Sequence, residues 1–330
     1  MDYRQLGESE LRVSVVALGA WAIGGLFWGG SDERDSIAAI QKSIDLGVTT
    51  IDTAPIYGCG RSEDIVGKAI AGRRNQVQLL TKFGLRWDDQ EGTFFFDIQD
   101  ADGKAYQVYR QATKKWVIRE CEESLRRLRT DYIDLYQHHW PDPKVPVEET
   151  FAAIERLLRD GKILAAGVCN YSPEQMSAAR RIVPLVSNQP PYSMVQRDIE
   201  TGVLPYCREN GIGVVVYSPL QLGLLTGKVT AGREFPATDI RSRNPFFKTE
   251  NRRRVLEFLE QIRPIAETHK ATLAQLVINW TIQQPGVTAA LVGARNPAQA
   301  EENAGAARFR LSPEEIAHIN SHLAYLKLDL

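Results

Sequence analysis

One unit dominates this sequence: a short apolar run, a turn, and a stretch with helical spacing, repeated eight times. The runs and their following helices are 15–18 with 32–46, 49–52 with 62–71, 77–82 with 114–128, 133–139 with 147–160, 163–169 with 173–181, 185–189 with 202–210, 213–217 with 251–269, and 289–292 with 296–306. Strands buried on both faces read as continuous Val/Ile/Leu runs, and parallel neighbours need a helical crossover between them. Eight such strands close most economically into an α/β (β/α)8 TIM barrel. An open doubly wound sheet is the alternative, but it expects G-x-G-x-x-G after the first strand, where the chain has none. Closed barrels of this kind run to the present length of 330 residues as one domain, here 1–330.

The pieces left over are also readable. Alternating runs at 3–6 and 11–13 flank Gly7-Glu8-Ser9-Glu10 and predict an N-terminal β-hairpin. Two extra helices are expected at 272–283 and 312–326, the second announced by Ser312-Pro313-Glu314-Glu315. Ser62, followed by Glu63 and Asp64, is read as the N-cap of the second helix. Two loops, 83–113 and 219–250, are long and follow strands, so they belong over the catalytic face of a barrel. The first contains β-prone runs at 94–98 and 104–109 around Asp102-Gly103, a hairpin signal. As a calcium loop it would place Tyr109 where a bidentate Glu is required, so calcium is rejected.

Composition narrows the function. With 40 basic and 41 acidic side chains the formal charge is −1, which gives no global field for nucleic acid or an anionic membrane. Cys59, Cys121, Cys169 and Cys207 lie far apart without C-x-x-C spacing and are expected to be free thiols, with no metal site. The N-terminus has no apolar run behind a basic region, and no stretch approaches eighteen apolar residues, so a soluble cytoplasmic protein is expected.

In a barrel the C-terminal ends of the strands converge on one mouth, so polar residues there form a set although they are distant in sequence. That set is Asp52 and Tyr57 after the second strand, Lys82 ending the third, and His139 ending the fourth. A Lys closing the apolar run Leu79-Leu80-Thr81-Lys82 needs a partner, and Asp52 is the obvious one. Side chains alternate along a strand, so Leu135, Gln137 and His139 face the interior while His138 faces the helices. The quartet suits carbonyl reduction. Proton donation by a tyrosine at neutral pH asks for a lowered pKa, a difference worth about 3 to 4 kcal/mol, and Lys82 would supply much of it by stabilising the phenolate. Neutral His139 would orient the substrate oxygen. No side chain is a hydride source, so a nicotinamide is required.

The Asp52-x-Ala54-x-x-Tyr57-Gly58 turn, Thr81-Lys82, the run Asp131 to Pro141, and Gly161-Lys162-Ile163 leading to Gly167-Val168-Cys169-Asn170 resemble the aldo-keto reductases, over residues 6–309. Within that family the chain is similar to the bacterial general-stress branch with its glyceraldehyde or glycerol reductases, through residues 19–25, Gln189-Pro190-Pro191-Tyr192 and residues 223–228. The resemblance implies NADP(H) bound without a Rossmann fold and Tyr57 as general acid/base, supported by Asp52, Lys82 and His139. It implies cofactor contacts from Gly19, Ala20, Trp21, Asp52, Cys169, Asn170 and Gln189, the last two on the carboxamide, and from Tyr217 stacked on the nicotinamide. Ser218, Pro219, Leu220, Gly227 and Lys228 would line the pyrophosphate. Gly293, Arg295, Gln299, Glu302 and Asn303 would hold the ribose phosphate and adenine. Arg295 suits a 2′-phosphate because a guanidinium binds it bidentately. Two departures stand out: Cys169 replaces the Ser common before the carboxamide Asn, and Gly293 stands where many eukaryotic members have Lys. Trp21, Tyr57, Trp140 and the run Phe94 to Phe96 are expected to wall the substrate space, for small sugars, glyceraldehyde-like compounds or xenobiotic carbonyls. The partner expected is a small-molecule carbonyl, with no nucleic acid and no membrane; the sequence leaves oligomeric state open.

Two rival functions were weighed. A metal-dependent hydrolase would use His138, His139 and Asp142, but adjacent strand residues face opposite ways. A cofactor-binding sensor or regulatory subunit would use the same fold without turnover.

Overall fold

The computed structural model describes every residue except 27, 29, 100–103, 237 and 238. In chain order the strands are β1 (Tyr3–Gln5), β2 (Arg12–Ser14), β3 (Val16–Gly19), β4 (Thr50–Asp52), β5 (Gln78–Phe83), β6 (Leu85–Arg86), β7 (Thr93–Gln99), β8 (Ala105–Arg110), β9 (Ile133–His138), β10 (Ile163–Cys169), β11 (Leu185–Gln189), β12 (Gly213–Val216) and β13 (Ala289–Gly293). The helices are α1 (Glu33–Asp45), α2 (Arg61–Ala69), α3 (Lys114–Leu128), α4 (Val147–Arg159), α5 (Pro173–Arg180), α6 (Val203–Glu209), α7 (Thr249–Thr268), α8 (Leu273–Ile282), α9 (Pro297–Gly305) and α10 (Pro313–Tyr325). Strands β3, β4, β5, β9, β10, β11, β12 and β13 pair in parallel in that order, and β13 returns to β3 to close the barrel. The fold is thus the (β/α)8 barrel expected from the repeat, with α8 and α10 as the extra helices and β1–β2 as the N-terminal hairpin.

Alternation along each strand splits the core in two. Ala17, Leu80, Leu135, Ala165, Val215, Ala289 and Leu291 fill the barrel interior, and the hairpin adds Leu6 and Val13 to that cluster. Gly7 lets the hairpin seat against the bottom of the barrel: a Cβ there would fall 2.3 Å from the Val186 carbonyl oxygen. The opposite strand faces pack against the helices in a separate, larger cluster that contains Trp280 and Phe151. Ser312, Thr272 and Ser172 each make a reciprocal capping box, which fixes the starts of α10, α8 and α5.

Two local expectations change. Helix α2 begins at Arg61, with Gly60 in the N-cap position, because the Ser62 hydroxyl is buried and spent on the Ala20 carbonyl (2.9 Å) and Thr53 (2.9 Å). The 83–113 loop is a three-stranded antiparallel sheet, β6-β8-β7, rather than a hairpin alone, with Leu85 and Arg86 pairing to Arg110 and Tyr109. Its Asp102-Gly103 turn lies outside the described residues.

Candidate active site

At the C-terminal end of the barrel β4 stops on Asp52 and β5 brings Lys82 beside it, both almost wholly buried. Lys82 Nζ donates to Asp52 Oδ1 and, at 3.0 Å, to the Thr53 carbonyl. Two charges taken out of water together must be paired, and here they are. The second carboxylate oxygen, Oδ2, accepts from Gln137 Nε2 (3.1 Å) and Gln189 Nε2 (2.9 Å).

Tyr57 arrives by a tight turn closed by Gly60 N–H to Pro55 O (2.7 Å) and Ser62 N–H to Tyr57 O (3.0 Å). Its ring has Lys82 Nζ 4.9 Å from the centroid and His139 edge-on at 5.8 Å. His139 follows β9 directly, its N–H on Phe83 O at 2.9 Å. His138, one residue earlier, faces away: it stacks on Phe83 at 4.9 Å, meets Tyr171 Oη at 2.6 Å, and burial lowers its pKa to about 3.

The electrostatics differ from the sequence expectation in one respect. Burial raises Tyr57 to about 12, and the Lys82 cation offsets only part of that. Asp52, whose charge also raises Tyr57, competes with Lys82, so the phenol is held firmly protonated. Burial is the largest single influence on the Lys82 ammonium and opposes it, but Asp52, Tyr57 and Cys169 together carry the group above the ordinary lysine range. Burial first, then Lys82, pushes His139 well below its usual value, so it is a neutral hydrogen-bonding group.

A cavity of about 610 Å³ opens above these residues. Gly19, Trp21, Asp52, Tyr57, His139 and Trp140 line it, as do Cys169, Asn170, Gln189 and Tyr217. The loop after β12 adds Ser218, Pro219, Leu220 and Lys228, the end of β13 adds Gly293, and the loop and helix after it add Arg295, Gln299, Glu302 and Asn303. Three of the sequence-predicted site residues stand behind this wall. Lys82 lies under Tyr57, Ala20 is buried with its N–H on Asp52 O (2.8 Å), and Gly227 gives the β12 loop a left-handed turn at φ 74°. Asn170, itself at φ 60°, accepts from Tyr217 Oη (3.0 Å) and donates to His139 O (3.1 Å). Lys228 and Glu302 form an ion pair at 3.0 Å between the β12 loop and α9. Arg295 donates to Trp28 O at 3.3 Å, its one side-chain hydrogen bond to a described residue, and a guanidinium has five N–H donors of the kind that hold an anion. This donor set fits an extended dinucleotide: amides near the barrel axis, cations toward α9.

The other end of the cavity is apolar. Phe95 and Phe96 face it together with Ile98, Leu85, Ile56 and Leu26. Phe94 does not; it is 47 % exposed and packs on Tyr109, which corrects the expectation that the whole run walls the mouth. A register shift between Phe94 and Phe96 breaks the alternation there and turns two consecutive rings inward. Sequence reasoning also missed Trp28, which meets Trp21 edge-on at 5.3 Å, and Ile240 and Arg241 of the 219–250 loop, both in the wall. Nothing in local spacing signals these, because they depend on the paths of long loops. Among the described residues no three His, Cys, Asp or Glu side chains gather as a metal site; Asp142 instead accepts from the Ala112 and Lys144 backbone.

Residues 15–324 match the model of the aldo/keto reductase family. The chain belongs to that family. Aldo-keto reductase YhdN of Bacillus subtilis is 42% identical over 326 residues, covering 98% of this chain and 94% of its own length. The NADH-specific methylglyoxal reductase of Escherichia coli is 36% identical over 313 residues, 93% of this chain and 94% of its own. Among solved structures, a glycerol dehydrogenase from Gluconobacter oxydans superposes with a TM-score of 0.88 at 37% identity, covering 98% of this chain and 96% of that one. This aldo/keto reductase is thus an oxidoreductase of a family that works with nicotinamide cofactors, and no helix among the described residues is long and apolar enough to cross a membrane.

Proposed function

We propose that this chain, as one barrel domain over residues 1–330, catalyses the reversible NADPH-dependent reduction of aldehydes and ketones to alcohols in the cytoplasm. The observation that carries this reading is the meeting of Tyr57 and His139 in one cavity wall, with the Lys82–Asp52 pair behind them. Tyr57 gives its phenolic proton to the carbonyl oxygen as negative charge develops there. His139, neutral, donates its N–H to the same oxygen and orients it. Lys82 faces the phenolate left behind, and Asp52 keeps Lys82 charged and in place. A bound nicotinamide supplies the hydride.

Asn170 and Gln189 would take the carboxamide and Tyr217 the ring. Ser218, Pro219, Leu220, Gly227 and Lys228 would line the pyrophosphate, and Arg295 with Gln299, Glu302 and Asn303 the 2′-phosphate and adenine. The choice of NADPH rests on Arg295. The E. coli relative, named for NADH, represents the opposite preference. The apolar wall of Trp21, Trp28, Phe95, Phe96 and Trp140 favours neutral carbonyl compounds over multiply charged ones. Purified protein tested with short sugars, diketones and aromatic aldehydes against both cofactors decides the matter. Consumption of neither cofactor with any of them overturns the reading.

A further inference from the structure

The barrel interior at this end is closed by a polar triangle of Asp52, Gln189 and Gln137, and the reaction scheme leaves only Gln137 without a role. Gln137 lies on β9 two residues before His139 and is fully buried, on the same face as apolar Leu135. A buried amide must satisfy a donor half and an acceptor half. Gln137 Nε2 donates to Asp52 Oδ2 at 3.1 Å, and its Oε1 accepts from Gln189 Nε2 at 3.1 Å and faces Cys169 Sγ at 3.9 Å. Gln189 Nε2 also donates to Asp52 Oδ2, at 2.9 Å. Three strands, β4, β9 and β11, are joined in one closed circuit of hydrogen bonds.

The circuit has a direction. A carboxylate only accepts, so both amides must turn nitrogen toward Asp52, and the second N–H of Gln189 then falls to Gln137 Oε1. Gln189 thereby spends its donors inside the protein. Its Oε1, which takes no hydrogen bond from a described residue, is what it can offer to a ligand in the cavity: an acceptor, complementary to a carboxamide NH2. The same amides satisfy Asp52 Oδ2 and leave Oδ1 to Lys82.

We propose that Gln137 is a positioning residue that locks the amide of Gln189 and the carboxylate of Asp52 as one unit, setting cofactor recognition and the proton-donor end together. This rests on the functional reading above for the roles of Gln189 and Tyr57. Without Gln137, Gln189 is free to turn its amide. Asp52 Oδ2 loses a donor, so more of its charge acts on Lys82 and Tyr57, and a carboxylate raises Tyr57.

Two replacements of similar size test it. Gln137→Met keeps the volume and removes the hydrogen bonds to Asp52, Gln189 and Cys169. NADPH and NADH affinity, read by quenching of intrinsic tryptophan fluorescence without turnover, is expected to fall about tenfold, with kcat lower and its alkaline limb at higher pH. Gln137→Glu keeps the shape but faces Asp52 with a second acceptor. It is expected to bind cofactor more weakly than the Met variant at pH 8 and to recover toward acid pH, where the protonated group can donate. Unchanged affinity and pH profile in Gln137→Met overturns the proposal. If that variant does not fold, absence of pH-dependent recovery in Gln137→Glu overturns it instead. Tyr57→Phe, measured alongside, separates the two layers: near-normal turnover there sinks the functional reading, while the affinity of the Gln137 variants still decides this one.

Discussion

Gly24 and Gly58 meet backbone to backbone. A Cβ on Gly24 would stand 2.5 Å from the carbonyl carbon of Tyr57, and one on Gly58 only 2.2 Å from the Gly24 carbonyl oxygen. The segment after β3 is therefore a stop against which the Tyr57 turn rests. Gly24→Ala is expected to displace Tyr57 and lower carbonyl reduction at least about tenfold while the barrel still folds, since small misplacements at the reacting centre are costly. Activity assays paired with circular dichroism check this, and wild-type rates in a folded variant would show that the contact does not set Tyr57.

Removing the phenol itself should separate binding from chemistry. Tyr57→Phe is expected to retain NADPH affinity and to lose about 10²-fold or more in carbonyl reduction, the scale of general acid catalysis. Stopped-turnover binding and steady-state rates measured on the same preparation decide it.

In the proposed function cofactor discrimination falls to one side chain. Arg295→Ala should weaken NADPH by about 1.5 to 3 kcal/mol, the scale of a lost charged hydrogen bond, and leave NADH nearly untouched. Equal losses would mean that Arg295 does not read the 2′-phosphate.

The pH behaviour follows from the burial of the site. Tyr57, raised to about 12, keeps its proton through neutral and mildly alkaline pH, and His139, lowered well below 6.5, stays neutral. The rate of reduction is expected to show no inflection near 6.5 from His139. An ionisation near that value that disappears in His139→Asn would contradict the assignment.

Glu120 offers a test of stability rather than rate. This fully buried carboxyl accepts from Gly84 N–H at 2.8 Å, and burial raises it to about 8 although Arg86 lies 3.7 Å away. Its folded pKa exceeds the ordinary 4.5, so its contribution to stability is present below 4.5 and is lost as pH rises through 8. Glu120→Gln should flatten the decline in Tm across that window; an unchanged decline would place the titration elsewhere.

Much of this was legible in the sequence because period and position are local properties. The eight strands and their helices follow from apolar runs and caps, and the meeting of Asp52, Lys82 and His139 follows from the rule that strand ends converge. What escaped depends on contacts that no spacing encodes. Ser62 has the chemistry of a cap but is buried against Ala20. Phe94 leaves the wall expected of the whole run, while Phe95 and Phe96 stay in it, because a register shift resets the alternation. Trp28 and Arg241 enter the wall only through the courses of their loops. The direction of the Tyr57 shift was misread because proximity to a cation is visible in sequence and desolvation is not.

The three-stranded sheet over the mouth shares a core with the turn that carries Tyr57. Leu85, Ile98 and Val108 pack with Leu26, Ala54 and Ile56 in a cluster distinct from both the barrel interior and the helix-facing core. Ala54 and Ile56 belong to the turn that carries Tyr57, and Tyr57, Phe95 and Phe96 all pack on this cluster, so the sheet and the proton donor lean on one shared core. Such an arrangement makes the sheet a brace as well as a wall: replacing the stretch between Gly84 and Gln111 with a relative's should change selectivity among carbonyl compounds and the seating of Tyr57 together, unless Leu26, Ala54 and Ile56 are exchanged with it.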